Sequence, residues 1–306
     1  METLEEGGLP AVVDSFVTNM PEDAVEIVGA LVDHPDIRRI NLTGSTKVGR
    51  IIAQRVAGSF KPVLLELGGK APLLVLKDAG MDEVVKTSIF GAFFDQGQIC
   101  ISTERIIVVP DMAEAVVVEF TERARALKAG DPREGAAPLG TEVDARTVAK
   151  VEALSADAVA KGATVTSAGA VEGVLMPTQV VDRVTAGMSL YFEESFGPVA
   201  AVLRAMDEED VIRLANDSEY GLSATVFSRG TARAVSVARR IRSGIRHVNG
   251  PTMHDKAQMS FAGTTASGYG RFGGRARIVE FFTELCWITV EPEPGSTFSG
   301  RNIGVA

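Results

Sequence analysis

Apolar residues recur at helical spacing in five segments of the chain: DAVEIVGALVDH (23–34), MAEAVVVEFTERARAL (112–127), ARTVAKVEALSADAVAKG (145–162), EEDVIRLAND (208–217) and TARAVSVARRIRSG (231–244). That spacing predicts amphipathic helices. Short runs rich in branched side chains lie between and after them: IRRINLTG, PVLLEL, PLLVL, RIIVV, VAAVLR, ATVFS and IRHVN. These read as strands. The alternation of the two patterns predicts an α/β fold with a largely parallel sheet, helices covering both faces. Glycine-rich stretches at LELGGKAP and at SGYGRFGG (267–274) mark turns or passages between domains. The segment FFTELCWITVEPEPG reads as a helix end, a strand and a Pro/Gly tail, and a strand so near a terminus is a candidate edge for pairing outside its own domain.

Composition narrows the classes of function. At 306 residues with 45% hydrophobic residues, the chain has ample material for a buried core and for two domains. A net charge of −9 argues against nucleic acid or an anionic membrane surface as a partner, because either needs a basic face. Small molecules and proteins fit better. Two cysteines, Cys100 and Cys286, supply neither a disulfide framework nor a metal site. The expected setting is a reducing cytoplasm. METLEEGGLP lacks the basic flank of a signal peptide, and no apolar run reaches the roughly 20 residues that span a bilayer.

Four motifs carry candidate chemistry, each with a plain structural alternative. In FFDQGQICISTER (93–105), Cys100 sits in a polar turn where a thiolate nucleophile could be displayed. The alternative is a buried filler cysteine, and a Cys/His pair is open only through distant His247 or His254. In LLELGGKAP (64–72), Glu66 lies between Leu65 and Leu67. Burial there would raise its pKa toward that of a general base, unless it pairs with Lys70. INLTGSTKVGR (40–50) places Gly44, Ser45 and Gly49 where a strand gives way to a helix, either a phosphate-binding N-terminus or an ordinary helix capped by Ser45 or Thr46. In YFEESFGPVAAV (191–202), Glu193 and Glu194 precede a Gly-Pro turn and could bind a sugar hydroxyl, as in dinucleotide sites, or form a solvated turn.

Taken in order, these segments resemble the aldehyde dehydrogenase superfamily over residues 8 to 292. GQICISTERIIV, FAGTTASGYGRFGG and FTELCWITV look most like the branch that oxidises salicylaldehyde, vanillin and related aromatic aldehydes. The resemblance implies a partial Rossmann-type NAD(P)-binding domain at 1–67, a parallel-sheet α/β catalytic domain at 68–274, and a C-terminal helix, oligomerisation strand and tail at 275–306. It implies Cys100 as nucleophile and Glu66 as general base. Gly44, Ser45 and Gly49 match the cofactor-side turn and helix, Glu194 the carboxylate on the nicotinamide ribose with Phe196 beside it, and Phe261 the substrate channel. The implied cofactor is NAD or NADP, the partner a small-molecule aldehyde, the assembly a homo-oligomer. Metal is not part of the scheme.

The same resemblance implies a long N-terminal segment ahead of GGLPAVV, carrying the first strands of the cofactor domain, an oxyanion-hole asparagine and the residues that grip the adenosine ribose. This sequence supplies none of them, so the chain reads as N-terminally truncated. Asp95 stands where the family usually has asparagine, and Ser260, Phe261, Ala262 and Gly263 stand where it has PFGG. Two further readings therefore stay open: a catalytically impaired homologue acting as an oligomer-forming or regulatory subunit, and a cofactor-independent acyl transferase built on Cys100.

Overall fold

The runs APLLV and TERIIV form adjacent parallel strands in which every residue is buried, the pattern of strands covered on both faces. They lie inside a computed structural model that describes residues 2–10, 13, 15–135 and 137–290. Its strands are β1 (Ile40–Thr43), β2 (Val63–Glu66), β3 (Ala71–Val75), β4 (Thr103–Val108), β5 (Thr164–Ser167), β6 (Gln179–Asp182), β7 (Val199–Arg204), β8 (Tyr220–Gly221), β9 (Ser223–Phe227), β10 (Ile245–Val248), β11 (Thr264–Thr265) and β12 (Gly268–Tyr269).

The strands form a seven-stranded sheet in the order β10-β9-β3-β4-β7-β6-β5, a three-stranded sheet β1-β2-β12 and a small β11-β8 pair. In the large sheet only β5 runs antiparallel to its neighbour. The expected α/β architecture with a largely parallel sheet is what the structure has. β12 comes from late in the chain yet pairs antiparallel with β2, Gly268 opposite Glu66. The small sheet is therefore not built from the N-terminal residues alone.

Helices pack on both faces of the large sheet. The helix Pro110–Arg125 opens with proline in its first turn and buries Ala113, Val116, Phe120 and Ala124 at helical spacing, with Phe120 stacked on Phe93 at 5.7 Å between ring centroids. On the other face, the helix Ala145–Ala160 buries Val148, Val151, Leu154 and Ala158. Its N-cap Asp144 accepts the Thr147 N–H at 2.8 Å, a contact worth about 1 kcal/mol. Around the small sheet the core is thin: Val32, Ile52 and Val56 are buried, with a few half-buried neighbours.

The helix Met81–Phe93 is an addition to the sequence reading. Of its buried residues, Val84, Val85, Ser88, Gly91 and Ala92 share one face, but Ser88 and Gly91 lie on that face while Phe90 is exposed, which blurs the amphipathic signal. Near the C-terminal end, Arg275–Phe282 is helical, and residues 283–290 follow without a strand partner among the described residues, Trp287 being 91% exposed. Residues 291–306, the expected tail, lie outside the described residues. Among the described residues no helix is long and apolar enough to cross a membrane.

Candidate active site

Five strand ends converge between the two main sheets. β1 and β2 deliver their C-terminal ends, Gly44 and Ser45 after the first and Glu66 as the last residue of the second. β3, β4 and β7 present their N-terminal ends, preceded by Gly68 and Gly69, by Cys100, and by Glu194 to Phe196. Gly44, Ser45, Glu66, Cys100, Glu194 and Phe196 all line one cleft of about 580 Å³. Six of the eight residues singled out in the sequence are thereby brought together.

The turn that carries Cys100 is shaped by three successive residues in the left-handed region, Asp95 at φ 49°, Gln96 at 55° and Gly97 at 71°. Only glycine takes that region freely, and at Gly97 a Cβ would meet the Gly197 carbonyl oxygen at 2.3 Å. The turn is thus wedged against the loop bearing Glu194. Burial, and then the charges of Glu194 and Glu66, push the Cys100 thiol up to about 11, while the N–H groups of Cys100 and Ile101 act in the opposite direction. In the free protein the thiol holds its proton at neutral pH; a cationic group in the cleft would favour the thiolate.

Glu66 is 4% exposed, and neither carboxylate oxygen has a hydrogen-bond partner in the protein. Burial pushes its pKa up to about 8, against a smaller opposing pull from Arg271. The pairing with Lys70 that the sequence left open does not form, because Lys70 Nζ lies 2.5 Å from Glu104 instead. A carboxyl group poised near neutrality without a protein partner is suited to take a proton from water.

Glu194 is the member of the acidic pair that turns inward; Glu193 is exposed. Its Oε1 accepts the Gly69 N–H at 2.9 Å, which leaves Oε2 for a ligand hydroxyl. Burial raises its pKa to about 7. A Cβ on Gly68 would sit 2.4 Å from Glu194 Oε2, and one on Gly69 would sit 2.3 Å from the Cys100 carbonyl oxygen. The two glycines of LELGGK let the Glu194 carboxylate and the Cys100 turn approach their bare backbone.

Gly49 and Phe261 lie outside the cleft lining. Ser45 caps the helix Thr46–Ala57, accepting from Val48 N at 3.3 Å, so the capped-helix reading holds there. Gly49 is buried in the first turn, where a Cβ would stand 2.6 Å from Leu67 Cδ1. Its smallness lets the helix pack against Leu67, behind the cleft lining. Phe261 packs with Ile101 and Leu222 in an apolar cluster against which Cys100 itself rests. It also lines a second cleft of about 390 Å³, beside Ile245, His247 and His254. The two histidines stack on each other, 5.7 Å between ring centroids, and neither lines the cleft of Cys100, which disfavours a Cys/His pair. Among the described residues no cluster of His, Cys, Asp or Glu is arranged to hold a metal ion.

Sequence reasoning missed the buried set behind the cleft. Lys70, Glu104 and Ser195, at most 4% exposed, bond to one another beneath Glu194. A lysine directly after the two glycines and a glutamate four residues after the cysteine were the available signal, but nothing local tells which carboxylate the lysine meets.

Comparison with known proteins places this geometry in context. The profile of the Aldehyde dehydrogenase family matches residues 1–288. A vanillin dehydrogenase of Pseudomonas fluorescens is 51% identical over 293 residues, 96% of this chain and 61% of that protein. A crystal structure of a salicylaldehyde dehydrogenase from Pseudomonas putida G7, complexed with salicylaldehyde, superposes with a TM-score of 0.91 at 45% identity, covering 95% of this chain and 60% of the other. An NADP-dependent glyceraldehyde-3-phosphate dehydrogenase from Bacillus halodurans C-125, complexed with NADP, gives a TM-score of 0.85 at 32% identity, covering 92% and 58%. The chain spans about three fifths of the length of these relatives.

Proposed function

Because this chain belongs to the aldehyde dehydrogenase family, we propose that it serves the oxidation of an aldehyde, aromatic in the first instance, to the carboxylate with NAD or NADP. The observation that carries this reading is the convergence of Glu66, Cys100 and Glu194 on one cleft, with Phe261 in the apolar cluster behind the cysteine. The vanillin and salicylaldehyde relatives support an aromatic substrate. Residues 1–67 then contribute to a cofactor domain and 68–274 to a catalytic domain, with 275–306 serving assembly into a homo-oligomer.

The residues of the cleft suit a dinucleotide. Glu194 Oε2 is free to accept a ribose hydroxyl, Gly44 and Ser45 present the start of a helix, and Phe196 lines the wall between them and Cys100. When bound, the oxidised nicotinamide supplies a hydride acceptor and a positive charge. That charge offsets the two carboxylates that hold the Cys100 thiol protonated. The Cys100 thiolate adds to the aldehyde carbon, and the oxyanion of the resulting thiohemiacetal is met by the Cys100 backbone N–H. After oxidation the acyl group remains on Cys100 as a thioester. Glu66 takes a proton from water, the hydroxide adds to the thioester, and the carboxylate and the thiol are released.

The test is formation of NAD(P)H from benzaldehyde, vanillin and salicylaldehyde by the purified chain, with Cys100→Ala as control. No signal above that control with either cofactor would count against the reading. A second reading, an assembly subunit without turnover of its own, is favoured by the apolar side chains exposed around the small sheet, Phe60 at 93% and Val25 at 81% among them. Co-purification with a full-length relative, together with absent activity alone, supports it.

A further inference from the structure

The structure assigns Glu104 the part of a positioning residue that holds the loop bearing Glu194 and Phe196 against the cysteine turn. The functional weight of that loop rests on the cofactor reading above, but the positioning itself does not. Because β3, β4 and β7 are parallel neighbours, the segments that enter them arrive at one end of the sheet. Glu104 stands at the start of β4, between the entries to β3 and β7.

Its carboxylate ties all three together. It accepts the Ser195 N–H at 2.9 and 2.8 Å, the Ser195 hydroxyl at 2.8 Å, the Phe196 N–H at 3.2 Å and the Lys70 ammonium at 2.5 Å. Lys70 completes the ring by donating to Ser195 Oγ at 3.1 Å. Glu104 is 4% exposed, Lys70 1% and Ser195 0%. A buried ion pair alone is weak evidence of a role, since well-packed apolar residues often replace one without loss. An apolar pair, however, could not bond the successive amides of Ser195 and Phe196. Phe196 needs that bond most: it holds φ at 53°, a conformation that costs a bulky side chain energy and persists only when its surroundings fix it. Glu194 thus has two tethers, Gly69 on its own carboxylate and Glu104 on the backbone of the two residues that follow.

The experiment compares the parent chain with Glu104→Gln, Ser195→Ala and the apolar double variant Lys70→Met/Glu104→Leu. The first readout is amide hydrogen exchange, which needs no cofactor. A lost charge-assisted hydrogen bond corresponds to about a tenfold change or more. Amides of residues 194–197 should accordingly exchange at least about tenfold faster in Glu104→Gln and in the double variant, and by a smaller factor in Ser195→Ala, with β4 unchanged. The second pair of readouts is the KM for NAD+ or NADP+ and the cofactor-free hydrolysis of p-nitrophenyl acetate at Cys100. Here KM should rise about tenfold or more while ester hydrolysis stays within about threefold.

Unchanged exchange in residues 194–197 of either folded variant at Glu104 overturns the proposal whatever the kinetics. If Glu104→Gln does not fold, Ser195→Ala and the double variant decide by the same exchange measurement. Faster exchange in a chain whose parent binds neither cofactor upholds Glu104 as the anchor of the loop and sinks the cofactor reading of Glu194 instead.

Discussion

The two main sheets hold their share of the cleft in different ways. In the seven-stranded sheet Leu73, Leu74, Val75, Ile106, Ile107 and Val108 are each 0% exposed. Ala200, Ala201 and Val202 of β7 are equally covered, so the strands that Cys100 and Glu194 lead into are packed on both faces. The three-stranded sheet rests on a cluster whose fully buried members are Val32, Ile52 and Val56, while Ile51 of the same helix is 54% exposed. Glu66 and the Gly44 turn belong to this thinner frame. Cys100 thus stands against the larger buried core and Glu66 beside the smaller one, and local opening is expected to follow the density of buried apolar contacts.

The largest expected effects separate the two frames chemically. Cys100→Ala should abolish aldehyde oxidation altogether. Glu66→Gln should leave a first-turnover burst of NAD(P)H and lower the steady-state rate by about 10² to 10⁴, read by rapid mixing followed to steady state. If the burst vanishes as well, the division of roles between the sheets is broken. In the parent, the deacylation rate should climb with pH up to about 8 and then level, since Glu66 must lose a proton whose pKa burial has raised to about 8. In Glu66→Gln that climb should be gone.

Stability contrasts come next. Leu74→Ala in the large sheet should cost about 2 to 5 kcal/mol and shift the main unfolding transition. Ile52→Ala in the helix Thr46–Ala57 should leave the main transition in place and add an earlier one, seen as loss of exchange protection in β1 and that helix. A single shared shift for both variants would show that the sheets unfold as one.

A smaller effect lies at Glu142, 2% exposed and without a protein partner for either carboxylate oxygen. Burial, then the charge of Asp95, raises its pKa from 4.5 to about 7. Between those values the folded state holds a proton that the unfolded state has lost, so stability falls as pH rises through the window. Glu142→Leu should stabilise the chain by about 3 kcal/mol above pH 7, since each tenfold difference in proton affinity between the folded and unfolded states is worth roughly 1.4 kcal/mol. The gain should shrink toward nothing at pH 4, as measured by denaturant unfolding. The smallest effect is that of Gly49→Ala, whose new methyl would press on Leu67 and cost about 1 to 3 kcal/mol, confined to the small sheet.

What was legible in the sequence follows the same divide. Strands buried on both faces, such as PLLVL and RIIVV, announce themselves as apolar runs, and long helices with a single apolar stripe do so by period. Met81–Phe93 escaped because its buried face includes Ser88 and Gly91 while Phe90 lies exposed. β5 and β6 escaped because TVTS and QVVD carry only one and two apolar residues between polar ones. Within the cleft, Glu66 was legible from a carboxylate set in an apolar strand, and Cys100 and Glu194 from motif resemblance. The partner of Lys70 was not, because the register of β3 on β4 sets Glu104 beside it across 34 positions of sequence. The contact of Gly49 with Leu67 was not legible, because a glycine at a helix start looks the same whether it faces an anion or a leucine.

The link between the two sheets is short: β2 ends at Glu66 and β3 begins at Ala71. With the proposed roles, loading of the acyl group belongs to one side of that link and its discharge to the other. A tilt of the small sheet about residues 67–70 would therefore act as a timer, setting how long an acyl-cysteine lingers without changing how readily it is made.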